Sequence, residues 1–312
     1  MIVDAHAHIM GAVRGHIAAG ATRSLTYGRV QAGGDIMQVL PPTVRDSAFP
    51  PEMLLAHMDW AGVDQAVLLQ GPFYGENNDY VRDAVRRWPD RFVGAAYVDP
   101  RAPRARELFL RAVEGDGFRI LKVEMSVATG LVGLYPDLEL DDETMGWIWD
   151  EAARRHLVVT LDLGAVGSAS YQTAALRRVV ERHPDLRVVI AHLAQPPIGR
   201  EDAEILDRLW REQIELGRFP NVWFDLSALP AYGVHQEYPY PDAIRYIRRA
   251  SDLIGAGKLM WGTDAPGLLC QATYLQLRDL VARHCVWLSD QQRADVLGRT
   301  AARVYSLKGR GA

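Results

Sequence analysis

The chain has 312 residues, of which 48% are hydrophobic and 24% charged, and its formal net charge is −4. That length suits one large α/β domain or two average ones, and the composition is that of an ordinary globular protein. The small net charge excludes the electrostatic footprint of a nucleic-acid or membrane-surface binder, and no apolar run approaches the roughly 18 residues that mark a membrane span. Cys270 and Cys285 form neither a CxxC pair nor a zinc-finger spacing. They read as free thiols of a reducing cytoplasm, and the first residues lack the charged and apolar regions of a signal peptide.

In chain order, the first predicted strand is 2–5, and it runs directly into His6-Ala7-His8. The stretch 11–51 follows, rich in Gly and punctuated by Pro41-Pro42 and Pro50-Pro51. A loop this long is usually functional or disordered. It reads as an irregular insertion lying over the mouth of the site, with Arg14, Arg29 and Arg45 available to an anionic substrate.

Further strands are predicted at 65–69, 92–98, 118–124, 157–163, 187–191, 221–226 and 258–261. Most are continuous apolar runs, as expected for strands covered on both faces. Amphipathic helical patterns fill the gaps at 78–88, 103–114, 141–155, 171–183, 202–216 and 240–254. Eight strands alternating with helices predict a (β/α)8 TIM barrel, read here as a single domain over 1–312 with a long insertion after strand one. A doubly wound open sheet fits less well, because no strand leads into a GxGxxG turn.

The strand ends carry the chemistry. His6 and His8, two residues apart on a strand, point to one side and can reach one divalent cation. His192 closes the sixth strand and Asp264 the eighth, while Glu124 ends the fourth and Asp162 lies near the end of the fifth. Barrel enzymes keep their catalytic groups at this end. Each residue also has a plainer reading. Glu124 can pair with Lys122, Asp162 can be a structural carboxylate, and Asp264 can cap a helix. Substrate contacts are expected from Arg29, Arg45, Gln70 and Tyr74, and from His235 and Tyr238 in the aromatic loop after strand seven. Packing of that loop on the barrel is the alternative.

The set Asp4-Ala5-His6-Ala7-His8, His192 and Gly262-Thr263-Asp264 resembles the amidohydrolase superfamily, in its amidohydrolase-related (amidohydrolase 2) branch. Segments 54–67 and 297–307 are similar to the branch's first helix with second strand and to its closing helix, although Thr300 stands where Asn is usual. Decarboxylases of the branch end strand five in a metal-binding histidine, whereas this chain has Asp162 there. Segments 184–198, 221–229 and 259–266 resemble instead the lactonase subgroup of pyrone-dicarboxylate, fuconolactone and sulfomuconolactone hydrolases.

The resemblance implies a hydrolase that opens a lactone or similar cyclic ester with an Asp- or metal-activated water. The alternative it leaves is metal-dependent, non-oxidative decarboxylation of an aromatic or muconate-type acid. Under this reading Asp264 is the general base and His192 stabilises the oxyanion or orients water. His6, His8 and Asp264, with Glu124 and Asp162 as further ligands, hold zinc or manganese. Some subgroup members work without a tightly held metal, so the resemblance leaves that open. A small-molecule substrate and a homodimer are expected, with no nucleic-acid or membrane partner.

Overall fold

The computed structural model describes residues 1–200, 203–232 and 236–308. Strand β1 (Val3–His8) is followed by four short strands, β2 (His16–Ile17), β3 (Gly20–Ser24), β4 (Arg29–Ala32) and β5 (Asp35–Gln38). The chain then alternates strands with helices through β6 (Gln65–Leu69), β7 (Phe92–Ala96), β8 (Ile120–Glu124), β9 (Val158–Asp162), β10 (Arg187–Ile190), β11 (Val222–Asp225) and β12 (Leu259–Met260). β1 and β6 to β12 form one parallel sheet in sequence order. It closes on itself where Ala5 N–H donates to Trp261 O at 3.0 Å and His8 N–H to Ala265 O at 2.7 Å. This is the (β/α)8 barrel that the alternation predicts.

The apolar runs form these strands because both faces are covered. β6, β8 and β9 are buried at every position. One set of side chains, including Val3, Ala5, Val67, Leu69, Ile120 and Val189, fills the barrel interior. Ala301, Val304 and Tyr305 of the closing helix join this set, and Tyr305 is tied to Thr160 by a hydroxyl pair at 3.0 Å. A larger cluster fills the layer between strands and helices.

The helices begin where their caps dictate. Asp142 accepts the Met145 N–H at 2.9 Å, and Thr273 and Ser289 form reciprocal capping boxes with Gln276 and Gln292. The pattern at 103–114 divides into a helix at Ala105–Leu110 and a wider turn at Arg111–Gly115. The pattern at 202–216 becomes Ala203–Ile214, and Asp202 lies outside the described residues. No helix is long and apolar enough to cross a membrane among the described residues.

One expectation is corrected. The insertion after β1 is not irregular, because β2 to β5 form an antiparallel four-stranded sheet. Gly33-Gly34 make the two-residue link of its β4–β5 hairpin, in which Ala32 pairs with Asp35. These strands span two to five residues. β5 is exposed at every position, so it carries no alternation to detect.

Candidate active site

The first strand aims its two histidines through a bulge. Asp4 pairs with Ala66 and Ala7 with Leu68, so β1 holds one residue more than β6 over this interval. A bulge re-aims side chains locally. Val3 and Ala5 face the barrel interior and His6 and His8 line the cavity above it, while the Asp4 carboxylate accepts from Thr263 Oγ1 at 2.6 Å and Tyr274 Oη at 2.7 Å. Burial pushes Asp4 up to about 6, against the pull of these hydrogen bonds.

His6 Nδ1 lies 2.9 Å from Asp225 Oδ2 and His8 Nδ1 lies 3.0 Å from Leu69 O. A carbonyl only accepts, and although desolvation opposes the charge on Asp225, His6, the His192 ring and the Ser227 hydrogen bond outweigh it and keep the carboxyl ionised, well below the usual carboxylate range. Both Nδ1 atoms therefore donate. The two Nε2 atoms are left facing Asp264 Oδ1, at 3.7 Å from His6 and 3.0 Å from His8. Burial holds His6 down at about 4, against the pull of Asp225, so at neutral pH its Nε2 carries a lone pair. Desolvation opposes the charge on Asp264, but the His8 hydrogen bond and the His192, His8 and His6 rings outweigh it and keep the carboxyl below its ordinary range. Lone pairs and a carboxylate oxygen converging in this way repel one another unless a proton or a cation lies between them. This donor set fits a divalent ion, since imidazole nitrogens with a carboxylate oxygen suit zinc, and each imidazole is held by a partner on its other nitrogen.

His192 arrives on strained backbone. His192, Leu193, Ala194 and Gln195 all have positive φ, at 59°, 50°, 55° and 47°. Left-handed non-glycine residues cost about 1–2 kcal/mol each, and the surroundings fasten this turn at every step. His192 N–H donates to Asp225 Oδ1 at 2.9 Å. Trp210 Nε1 donates to Leu193 O at 2.8 Å and Tyr171 Oη to Ala194 O at 2.9 Å. The His192 ring is then gripped on both sides, by Ser227 Oγ at 2.8 Å from Nδ1 and by Asp162 Oδ2 at 3.2 Å from Nε2. Burial alone would lower His192, but the Asp162 carboxylate outweighs it and raises the imidazole to about 9. The same pair holds Asp162 far below its ordinary value in spite of its burial. His192 is thus an imidazolium at neutral pH, with its ring 4.6 Å from that of His6.

The other predicted residues divide. Glu124 lies in the cavity wall, with Lys122 Nζ 3.2 Å from its Oε2 and Ser126 Oγ donating to Oε1 at 2.7 Å. Glu124 and Asp162 stand outside the His6/His8/Asp264 group, Glu124 facing Lys122 and Asp162 facing His192. Tyr74 lines the cavity with its ring 4.7 Å from that of His8. Gln70 also lines it, but its amide is spent on Asn78, Ala95 O and the Asn77 N–H. Arg29 and Arg45 are exposed and do not line the cavity, and Arg29 is turned back onto Thr26. Tyr238 is an outer-surface residue bonded to His284 at 2.6 Å, and His235 lies outside the described residues.

Sequence reading missed Asp225, the shared acceptor of His6 and His192. It also missed Lys122 as a cavity-lining cation, and Met37, Val39 and Phe73 as an apolar wall. Asp225 ends a strand, as the other candidates do, and that position was its one available signal.

Comparison with known proteins shows the family and the fold. The amidohydrolase family profile matches residues 3–307. An L-fucono-1,5-lactonase of Burkholderia ambifaria is 30% identical over 237 residues, covering 73% of each chain. A crystal structure of an amidohydrolase from Burkholderia multivorans with bound zinc superposes with a TM-score of 0.72 at 21% identity, covering 99% of this chain and 100% of that one. A probable 2-pyrone-4,6-dicarboxylic acid hydrolase of Acinetobacter baumannii with bound citric acid gives 0.70 at 16% identity, covering 98% and 99%.

Proposed function

The chain belongs to the amidohydrolase family, and from that premise we propose that it hydrolyses a lactone or similar cyclic ester, with Asp264 as general base. The observation that carries this reading is the convergence of His6 Nε2 and His8 Nε2 on Asp264 Oδ1, on a cavity that also holds the His192 imidazolium. The name of the 30%-identical relative points to the same class of ester.

Asp264 is ionised and its side chain is 21% exposed to the cavity, so it can take a proton from a water. The hydroxide so formed adds to the lactone carbonyl carbon, and the ring carbon–oxygen bond breaks. The proton on Asp264 then passes to the departing alkoxide, giving the hydroxy acid. Both nitrogens of His192 are already engaged. Its contribution is therefore the positive charge it places beside the developing oxyanion, in a buried setting where charge counts for more than in water. Lys122, 2% exposed in the cavity wall, adds a second fixed cation. His6, His8 and Asp264 would hold a divalent ion, zinc before manganese, which when bound polarises the carbonyl and acidifies water. No arginine lines the cavity among the described residues, so nothing there grips a carboxylate in the bidentate manner that an aromatic acid for decarboxylation invites.

A panel of lactones and aromatic acids, followed by proton and carbon dioxide release, tests the reading. Lactone opening is expected, with Asp264→Asn reducing kcat by about a thousandfold or more in a protein that stays folded. Carbon dioxide release without any lactone turnover would overturn it.

A further inference from the structure

We propose that the site has a second chamber that binds an uncharged, hydroxyl-bearing group, so that the full substrate is a lactone ring carrying a further sugar-like substituent. This rests on the lactone reading above.

The reaction cavity measures about 300 Å³, at the small end of the roughly 300–1,000 Å³ usual for small-molecule sites. It has room for one small ring. A second cavity of about 400 Å³ adjoins it, and Thr129, Asp162 and His192 are lining residues of both. A ring held for attack at Asp264 therefore has space for a substituent on the far side of the His192–Asp162 pair.

The lining of the second chamber sets the chemistry of that substituent. Ser126, Ser168, Gln195 and Tyr232 supply hydroxyls and an amide. Among the described residues no lysine or arginine lines it, and its charged members there, Asp162 and His192, already face each other at 3.2 Å. Among the described residues an anion or a cation entering the chamber finds no free countercharge, whereas a polyhydroxylated group finds donors and acceptors. Gln195 Nε2 donates to Asp162 Oδ1 at 3.1 Å, and its amide oxygen has no hydrogen-bond partner among the described residues. The Tyr232 hydroxyl has none there either, although its ring is set edge-on to His192 at 6.2 Å. Ser168 Oγ meets only Ser170 Oγ, at 3.0 Å, which leaves acceptor capacity unused. The first chamber offers the complementary surface, since Met37, Val39 and Phe73 give it an apolar wall for the face of a ring.

The test compares aldono-1,5-lactones of single sugars with the same lactones bearing a 4-O- or 6-O-glycosyl group. Wild-type enzyme is expected to show a kcat/KM about ten- to a hundredfold higher for a substituted lactone, the scale of one or two added hydrogen bonds. Ala165→Trp, which fills the second chamber from an exposed lining position, should remove that preference. Calorimetry on Asp264→Asn reads the same comparison as affinity, without turnover. No gain for either substituted series, or a gain that Ala165→Trp leaves intact, would overturn the chamber. Turnover of neither class, with tighter binding of the substituted lactone by Asp264→Asn, would overturn the lactonase reading and leave the chamber standing.

Discussion

His192 and Asp162 face each other at 3.2 Å in a buried setting, and their mutual stabilisation has a defined pH window. His192 is raised from 6.5 to about 9 in the folded protein, against its own burial. The folded state thus holds this proton more tightly than the unfolded chain. The stabilisation is complete below about 6.5 and is lost as pH rises through about 9. Asp162 is depressed, so its share is present above about 4 and is lost as the medium turns more acidic. On chelator-treated protein, melting temperature is expected to fall between about pH 6.5 and pH 9 by the equivalent of about 2–3 kcal/mol. In Asp162→Asn the profile over that interval should flatten. Equal slopes for the two proteins, measured by calorimetry at matched ionic strength, would show that the pair does not raise His192. The pairing was not readable beforehand. Each residue stood out as a polar group at a strand end, but which carboxylate meets which imidazole depends on the left-handed turn at His192–Gln195, and no local pattern announces four such residues in a row.

At the scale of elements, the site depends on how closely neighbouring strand ends approach. Gly262 follows β12 against β1, and a Cβ there would lie 2.9 Å from His6 Cβ, 3.1 Å from His6 N and 3.3 Å from Ser227 Cβ. Two of these atoms belong to the strand that carries the histidines, so relief of the clash must move that strand. Gly262→Ala is expected to cost about 1–3 kcal/mol of stability. It should also lower kcat/KM about a hundredfold through misplacement of His6. Denaturant titration and lactone kinetics measure the two effects, and wild-type kinetics in a folded variant would count against this coupling. Most of the eight barrel strands were readable because burial on both faces writes them as largely apolar runs, and 65–69 coincides with Gln65–Leu69 in full. The sheet β2 to β5 was not readable. Its strands are only two to five residues long, the buried positions they offer (Ile17, Thr22, Val30 and Ala32) are too few to write a pattern, and its order comes from pairing and a glycine hairpin. For the same reason the arginines assigned to that insertion fall outside the cavity, while Met37 and Val39 turn out to wall it.

Across the whole molecule, the functional groups come from β1, β8, β9 and β11 and from the turns after β10 and β12, so the site exists only when the barrel is closed. His8 and Asp264 are 256 positions apart in the chain. An unfolded chain offers no comparable arrangement, so whatever binds between His6, His8 and Asp264 stabilises the closed barrel by its full binding free energy. A divalent ion at a hundred times its dissociation constant adds about 2.7 kcal/mol, which in a chain of this size raises the melting temperature by roughly 4 °C. Protein purified without chelator is expected to carry one equivalent of zinc or manganese by elemental analysis. Exhaustive chelation should lower its melting temperature, and added zinc should restore it. In Asp264→Asn one ligand is gone, and the zinc-dependent shift should shrink to near zero while the fold persists. If wild-type protein carries no metal, and zinc moves its melting temperature no more than that of Asp264→Asn, then a proton occupies the space between His8 Nε2 and Asp264 Oδ1. The same three residues would then have to activate water without an ion, with the His192 and Lys122 charges as the only electrophilic help in the cavity among the described residues.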